Sequence, residues 1–258
     1  MNLSENTILV TGGTSGIGYE MAKEFLKRDN KVIITGRNEQ KLQKAVQELK
    51  GAIGIACDVS QPDQIQQLYQ QIEKEHPDLN ILINNAGVML TINLQAHKLS
   101  ERDLTQEFDI NVKGTIWMND AFLPLLGKNS HSATVTVSSG LAFAPLPITP
   151  IYCATKAALH SYSLSLREQL KNTSIKVFEL APPATKTELL AGFEEEDMEG
   201  VTPMTVEALV AKFIEGLSKD KLEICPGQAS QLKFMGRFFP NFILKQLSKP
   251  IARMHAEM

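Results

Sequence analysis

The chain has 258 residues, of which 43% are apolar and 21% are charged, and its formal net charge is −3 at pH 7. This balance is ordinary for a soluble globular protein and offers no bulk attraction to nucleic acid. No stretch of eighteen apolar residues occurs and the N-terminus lacks a signal-peptide pattern, so we expect no transmembrane segment and no secretion. Cys57, Cys153 and Cys225 follow no metal spacing, which is typical of reduced thiols in a cytoplasmic protein without a bound metal.

Short apolar runs alternate with amphipathic stretches along most of the chain. The runs suit buried parallel strands and cover Thr7–Thr11, Lys31–Thr35, Ile53–Cys57, Leu79–Asn84, Ala133–Ser138, Ile175–Leu180 and Leu222–Cys225. The predicted helices cover Ile17–Arg28, Glu39–Leu49, Pro62–Glu75, Glu101–Leu126, Pro150–Lys171 and Thr205–Ser218. This alternation predicts a single doubly wound α/β domain over residues 1–226, with a parallel sheet and helices on both faces. Residues 227–258 then form a C-terminal helical extension.

The first predicted strand runs directly into the sequence TGGTSGIG, residues 11–18, and a helix follows. Glycines at such a turn let the backbone approach a pyrophosphate, and the helix N-terminus offers free N–H groups. The spacing is G-x-x-x-G-x-G, and no lysine follows Gly18, so a phosphate-transferring loop is not favoured. The pattern predicts a dinucleotide site, although a tight turn without a ligand would have the same glycines.

The second predicted strand ends where the adenine ribose of a bound dinucleotide would lie. An NAD site usually has an acidic residue there, whereas this chain has Gly36 followed by Arg37. The planar guanidinium of arginine suits a 2′-phosphate, so NADP is favoured and NAD is less favoured. The alternative interpretation of Arg37 is a solvated residue at the start of the next helix.

The next two strands end in polar and small residues that could also meet the dinucleotide. Asp58 and Val59 follow the third strand, and Asp58 is placed to meet the adenine edge. The fourth strand ends in Asn84, Asn85, Ala86 and Gly87. These residues could line the path of the cofactor or tie strands together, and we expect both roles.

Ser139, Tyr152 and Lys156 are the candidate catalytic residues. Four residues are about one helical turn, so the Lys156 ammonium should lie beside the Tyr152 phenol. A neighbouring cation favours phenolate and should lower the pKa of Tyr152 from about 10 towards the range of efficient acid–base catalysis. A lone Tyr-x-x-x-Lys pair is more often a surface lysine packed on a tyrosine ring, so the other motifs decide its meaning.

Together these motifs resemble the short-chain dehydrogenase/reductase family over about residues 5–226. TGGTSGIG is similar to the family's TGxxxGxG, residues 84–87 to its NNAG, and Tyr152–Lys156 to its YxxxK. The resemblance implies a seven-stranded sheet in the order 3-2-1-4-5-6-7 and a nicotinamide cofactor. It also implies roles for four residues: Tyr152 as acid/base, Lys156 as its partner and a ribose ligand, Ser139 as the residue that orients the carbonyl, and Asn111 as the holder of a proton-relaying water.

One departure from the family pattern follows the sixth strand. The family has PGxxxT, whereas this chain has PPATKT from Pro182 to Thr187, so a proline replaces glycine. The resemblance still places Pro182, Thr185 and Thr187 beside the nicotinamide carboxamide. The full set of predicted cofactor contacts is Gly12, Thr14, Ser15, Gly16, Ile17, Gly18, Arg37, Asp58, Val59, Asn84, Asn85, Ala86, Gly87, Tyr152, Lys156, Pro182, Thr185 and Thr187.

The segment between Ser139 and Tyr152 is almost wholly apolar and should line a substrate pocket. We therefore predict an NADP(H)-dependent oxidoreductase that interconverts a lipophilic carbonyl and a secondary alcohol. A nicotinamide-binding redox sensor without turnover is the first alternative, although a sensor needs no Ser-Tyr-Lys set. A protein held at a membrane surface by its basic, aromatic tail is the second.

The tail resembles that of the DltE-like oxidoreductases, a subgroup of the family. Its apolar residues follow helical spacing from Leu232 to Leu247, and Pro240 divides them into two short helices or a kinked one. We expect these residues to pack on the protein's own substrate cleft or on a partner subunit of a homodimer or homotetramer. The acidic run from Glu194 to Glu199 is expected to be a solvated segment or a lid over the strand ends.

Overall fold

The computed structural model describes residues 1–95, 99–194, 196–198 and 200–256. Its seven strands are β1 (Thr7–Thr11), β2 (Lys31–Gly36), β3 (Ile53–Ala56), β4 (Leu79–Asn84), β5 (Ser132–Val137), β6 (Ile175–Leu180) and β7 (Glu223–Ile224). The helices of the α/β part are α1 (Gly16–Leu26), α2 (Glu39–Leu49), α3 (Pro62–Glu75), α4 (Glu101–Glu107), α5 (Gly114–Leu126), α6 (Pro150–Leu170) and α7 (Val206–Ser218). The tail contains α8 (Gln228–Phe238), α9 (Pro240–Leu247) and α10 (Ile251–Ala256).

The strands form one parallel sheet in the order β3-β2-β1-β4-β5-β6-β7, as predicted. All five residues of β1 and all six of β5 are buried, which explains their near-continuous apolar character. The strand order reverses between β1 and β4. In open α/β sheets a ligand binds in the crevice at the carboxyl ends of the strands that flank this reversal. TGGTSGIG and Asn84–Gly87 both lie there, since they follow β1 and β4.

Two apolar layers cover the sheet, one on each face. On one face α1, α2 and α7 pack together, and the rings of Phe25 and Phe213 meet edge to face with their centroids 6.4 Å apart. On the other face α3 and α5 pack together, and Tyr69 meets Phe122 with centroids 5.6 Å apart. The helices on both faces bury the sheet, which leaves the carboxyl ends of its strands as the place for a site.

The predicted helix Glu101–Leu126 is divided in the structure. A π-helical turn, Phe108–Lys113, separates α4 from α5 and carries Asn111. The extra residue of a π-helical turn lets the chain change the direction in which side chains point, and such turns are frequent at functional sites. Gly114, directly after the turn, packs so closely on Val59 that a Cβ would lie 2.9 Å from its Cγ2 atom. The predicted ends of the second, third, fifth and seventh strands also shift by one residue.

The tail begins with α8, which packs on a short 3₁₀ helix, Gly140–Ala142, directly after Ser139. Ala229 is fully buried against Gly140, and a Cβ at Gly236 would lie 2.1 Å from the Phe143 carbonyl oxygen. Pro240 begins α9, so the predicted division into two short helices is confirmed, and α10 is an addition. Within the described part of the chain, no helix is long and apolar enough to cross a membrane.

Candidate active site

Ser139, Tyr152 and Lys156 meet at the carboxyl end of β5. Tyr152 and Lys156 lie one turn apart near the start of α6, and the Lys156 ammonium is 5.5 Å from the centre of the Tyr152 ring. Ser139 follows β5, and its hydroxyl is hydrogen-bonded to the Tyr152 phenol. The Ser139 oxygen also accepts from the backbone N–H of Leu141 at 3.1 Å. All three candidate residues are buried, which places a phenol, an ammonium and a hydroxyl away from bulk water.

The pKa of Tyr152 departs from the sequence-based expectation. Burial raises the pKa of Tyr152 above its ordinary value, and the hydrogen bond from Ser139 opposes this only in part. The expected lowering is therefore wrong for this structure, because removing the phenol from water penalises phenolate more than the surroundings stabilise it. The phenol remains protonated at neutral pH, which is the form that donates a proton to a carbonyl oxygen.

Lys156 reaches across to the sheet from α6. Its ammonium donates to the Val137 carbonyl oxygen at 2.9 Å, which fixes the side chain beside the end of β5. Burial lowers the pKa of Lys156 to about 8, whereas the carboxylates of Glu107 and Glu179 act in the opposite direction. The lysine therefore titrates close to physiological pH.

Asn111 and Glu107 hold the loop that follows β4. The Asn111 side chain accepts from the Val88 N–H at 2.8 Å and donates to the Val88 carbonyl at 2.9 Å and to Thr155 at 3.1 Å. Glu107 accepts from the Leu90 N–H at 3.0 Å. Both amide ends of Asn111 are thus bound to protein groups, which supports a positioning role. Its water-holding role stays a prediction.

Glu107 is a residue that sequence reasoning missed. Its side chain is fully buried, and its Oε2 atom has no hydrogen-bond partner among the described residues. Burial raises the pKa of Glu107 to about 7, opposed by the Leu90 N–H and by the charge of Lys156. A glutamate four residues before Asn111 has no distinctive spacing in the sequence, since only the fold brings it towards α6.

A cavity of about 640 Å³ runs along the carboxyl ends of the strands from Arg37 to Lys156. The glycine-rich turn lines one wall, where Gly12 and Gly16 have φ angles of +64° and +55°. A Cβ at Gly12 would lie 2.8 Å from the Ala86 Cα, so only glycine keeps the two loops this close. A bare backbone beside a helix N-terminus fits a pyrophosphate, and the elongated cavity fits a dinucleotide. The chain thus has a cradle in which a nicotinamide dinucleotide fits.

The adenosine end of this cavity carries positive charge. Arg37 and Lys41 both line it, and sequence reasoning had found only Arg37. Asn38 caps α2 by accepting from the Lys41 N–H at 2.9 Å, which orients the first turn of that helix. A Cβ at Gly36 would lie 2.5 Å from the Thr14 methyl group. An acidic side chain therefore cannot occupy position 36 unless Thr14 moves.

Most of the predicted cofactor residues line this cavity, and the others support or flank it. The lining includes Gly12, Thr14, Ser15, Gly16, Ile17, Arg37, Asp58, Val59, Asn85, Ala86, Gly87, Tyr152, Lys156 and Thr187. Asn84 is buried behind the wall, where its amide donates to Asn119 at 3.3 Å, and Gly18 packs against Asn85. Pro182 and Thr185 line the neighbouring cavity instead. The side chains of Asn84 and Asn85 tie structure together, since Asn85 donates to the Thr11 and Gly12 carbonyls.

The second cavity, of about 470 Å³, meets the first at Tyr152, which lines both. Its wall is mainly apolar, and its polar side chains include Ser139 and Tyr152 as well as Gln231, Gln246 and Lys249 of the tail. The segment after Ser139 contributes Leu141 and Leu146. The tail contributes Leu232, Met235, Phe242, Ile243, Leu247 and Pro250. The tail thus lines the cleft of its own chain, and its packing on the same domain or on a partner subunit stays a prediction. Part of the expected acidic lid also borders this cavity, through Asp197 and Met198, whereas Glu195 and Glu199 lie outside the described residues.

Comparison with known proteins decides the family. The family model described as short chain dehydrogenase matches residues 6–198. The chain belongs to the short-chain dehydrogenase family. An oxidoreductase of Bacillus subtilis (strain 168), named DltE and described as uncharacterized, is 42% identical over 226 residues, which cover 87% of this chain and 89% of that protein. The predicted family and its DltE-like subgroup are confirmed, and the protein is an oxidoreductase of this class.

Two solved short-chain dehydrogenases share the fold. One from Burkholderia cenocepacia, in complex with NADP, has a TM-score of 0.83 at 22% identity and covers 96% of this chain and 99% of its own. One from Burkholderia phymatum, in complex with NAD, has a TM-score of 0.81 at 20% identity and covers 90% and 93%. At these identities the likeness concerns the fold alone.

A buried charged network of this short-chain dehydrogenase was also missed by sequence reasoning. Glu179 on β6 is fully buried, accepts from Ser138 at 2.5 Å and lies 2.8 Å from the His160 ring nitrogen. That hydrogen bond raises the pKa of His160. Glu223 on β7 is paired with Lys233 of α8. The network therefore joins the strand ends below Ser139 to the tail that covers the substrate cavity.

Proposed function

We propose that this short-chain dehydrogenase is an NADP(H)-dependent oxidoreductase that interconverts a lipophilic carbonyl and a secondary alcohol, with Tyr152 as the acid/base. The observation that carries the proposal is the position of Tyr152. Its phenol lies where the dinucleotide-shaped cavity and the apolar cavity meet, between the hydroxyl of Ser139 and the ammonium of Lys156.

The chemistry divides between the cofactor and the chain. When bound, NADPH supplies the hydride that adds to the carbonyl carbon, and it leaves as NADP⁺. Ser139 holds the carbonyl oxygen, and Tyr152 gives that oxygen a proton, so that an alcohol forms. Lys156 stabilises the phenolate that remains, and its charge is available because its pKa is about 8. In the reverse direction the same oxygen of Tyr152 accepts the proton.

Three features of the adenosine end support NADP rather than NAD. Arg37 offers a guanidinium to a 2′-phosphate, and Lys41, which is paired with Glu188 at 3.2 Å, offers a second cationic group. Thr14 fills the space that an acidic side chain at Gly36 would need, which removes the usual partner of an NAD ribose 2′-hydroxyl. The two solved structures that share this fold contain different cofactors, NAD in one and NADP in the other, so the proposed choice of NADP rests on the residues of this chain.

The lining of the second cavity supports a lipophilic substrate. Leucine, methionine and phenylalanine side chains surround the space beyond Ser139. The transfer of apolar groups from water into such a cavity is favourable. A charged acid or a sugar would lose hydration there that the fewer polar side chains of the wall, such as Gln231 and Lys249, would replace only in part.

We also propose that the protein works in the cytoplasm as a homodimer or homotetramer. Ile116 on α5 and Leu164 on α6 are 37% and 42% exposed. Neighbouring long helices with apolar outer positions are suited to an isologous contact between two copies. Size-exclusion chromatography with light scattering tests this directly, and a monomer at micromolar concentration would contradict it.

The enzymatic proposal is tested with a panel of aldehydes and ketones that ranges from small and charged to aromatic and long-chain. Oxidation of NADPH is followed by its absorbance. Aromatic and long-chain ketones should be reduced, and Tyr152→Phe should lower turnover at least about 100-fold with little change in NADPH affinity. Tyr162→Phe, on the same helix, is the matched control. Near wild-type turnover in Tyr152→Phe would show that another group donates the proton.

A further inference from the structure

The tail exposes an aromatic patch, which consists of Phe234, Phe238, Phe239 and Phe242. Each of these side chains is between 51% and 59% exposed. The Phe234 ring lies 5.0 Å from that of Phe238 and 6.2 Å from that of Phe239, measured between centroids, so three rings cluster in water-facing positions. A contiguous exposed cluster of this size is uncommon on a soluble monomer and indicates an interaction surface.

The patch lies in a segment whose charge is opposite to that of the rest of the chain. Residues 228–258 contain five Lys or Arg and one acidic residue, whereas residues 1–227 contain 21 basic and 28 acidic residues. Arg237 lies 5.7 Å from the centre of the Phe238 ring, and Lys245 and Lys249 are exposed on and just after α9. Lys233 is already paired with Glu223. Arg237 thus lies beside the aromatic patch, and Lys245 and Lys249 add two exposed cations to the same segment, where Lys249 also lines the substrate cavity.

A second copy of the chain is a poor occupant of this surface. The common symmetric contact is isologous, so the same patch of each copy would face the other. Both copies would then bring the net positive charge of this segment to one contact, and like charges across a contact are repelled. The partner must therefore be apolar at its centre and negatively charged at its edge.

We propose that the outward face of the tail docks on the surface of an anionic lipid bilayer. The aromatic patch would enter the headgroup region, and Arg237, Lys245 and Lys249 would face the lipid phosphates. Phenylalanine with lysine and arginine on a short helix is the composition of interfacial anchors. α9 suits this role, because none of its residues is buried by the rest of the protein.

The docked orientation also affects access to the site. Phe242 belongs to the aromatic patch and also lines the substrate cavity, and Ile243 and Leu247 of the same helix line that cavity too. Docking of α9 would therefore bring one wall of the substrate cavity close to the membrane, where lipophilic molecules collect.

Co-sedimentation of the full chain with vesicles tests the proposal. One set of vesicles is phosphatidylcholine alone, and the other contains phosphatidylglycerol as well. The wild type should sediment with the anionic vesicles, less with the neutral ones, and less again at high salt. F234S/F238S should weaken binding at least about tenfold, whereas F238W should retain it, because tryptophan also partitions to the interface.

The charge contribution has its own matched control. K245Q/K249Q should weaken binding to anionic vesicles on the order of tenfold, since each basic residue near such a surface contributes attraction. K44Q/K74Q makes the same change of net charge on α2 and α3 and should have little effect. Circular dichroism and NADPH binding check that each variant is folded.

Two results would overturn the proposal. One is sedimentation that is absent for the wild type, or equal for the wild type and F234S/F238S. The other is a change of oligomeric state in F234S/F238S on a sizing column, which would make the aromatic patch a subunit interface. Sedimentation needs no turnover, so a failure of the proposed enzymatic activity would leave this result unaffected.

Discussion

Replacing Glu107 by glutamine should make the unfolding free energy of the protein less sensitive to rising pH. The Glu107 side chain is fully buried and accepts from the Leu90 N–H at 3.0 Å. Burial raises the pKa of its carboxyl from 4.5 to about 7. Between these values the folded chain holds a proton that the unfolded chain has lost. This stabilising contribution is therefore complete below pH 4.5 and disappears as pH rises through about 7.

The magnitude follows from the two pKa values. At 1.36 kcal/mol for each factor of ten in proton affinity, the wild type should lose about 2 to 3 kcal/mol of unfolding free energy through Glu107 between pH 5 and pH 7.5. Glutamine keeps an acceptor for the Leu90 N–H but cannot ionise, so Glu107→Gln should escape that loss. A constant cost or gain of the new amide cancels when the two pH values are compared.

Urea unfolding followed by Trp117 fluorescence and circular dichroism measures this difference. The free energy of Glu107→Gln relative to the wild type should become more favourable by about 2 to 3 kcal/mol between pH 5 and pH 7.5. Glu101→Gln makes the same substitution at an exposed position of α4 and should show no such trend. Parallel pH profiles for the wild type and Glu107→Gln would refute the reasoning, because they would mean that the buried carboxyl titrates as if it were in water.

Three further predictions concern the two cavities. Arg37→Ala should weaken NADPH binding by about tenfold to a hundredfold and leave NADH binding almost unchanged, because a charge-assisted contact to the 2′-phosphate is lost. Calorimetry measures both affinities, and Lys44→Ala is the control. Equal losses of affinity for the two cofactors would argue against a 2′-phosphate contact. Lys156→Met should lower both turnover and NADPH affinity, whereas Lys113→Met, at an exposed lysine, should lower neither. Normal NADPH affinity in Lys156→Met would exclude a contact between Lys156 and the nicotinamide ribose. Gly236→Ala places a Cβ 2.1 Å from the Phe143 carbonyl oxygen, so α8 must shift. The KM for substrate should therefore rise, while NADPH affinity should not change. An unchanged KM would mean that the tail does not shape the substrate cavity.

Features that depend on the local order of residues could be predicted from the sequence of this protein. Apolar periodicity predicted the seven strands and most of the helices, because a strand buried on both faces and an amphipathic helix differ within a short window. The glycine-rich turn after β1 and the one-turn spacing of Tyr152 and Lys156 are likewise local features. The strand order and the joint meaning of the motifs came from the resemblance to a family, and the structure confirms the strand order.

The loss of contact between side chains and water, and the groups that these side chains then contact, depend on how the whole chain folds. The sequence predicted a lowered pKa for Tyr152 from its neighbour Lys156, whereas burial by distant segments raises it. Glu107 had no visible signal, since its environment is created by the π-helical turn and by the loop after β4. The sequence predicted an amphipathic tail divided at Pro240. Only the folded chain shows that Leu232 and Leu247 line the substrate cavity, whereas Phe234 and Phe238 are exposed. Desolvation and proximity depend on residues far apart in the chain, so a short stretch of sequence does not contain them.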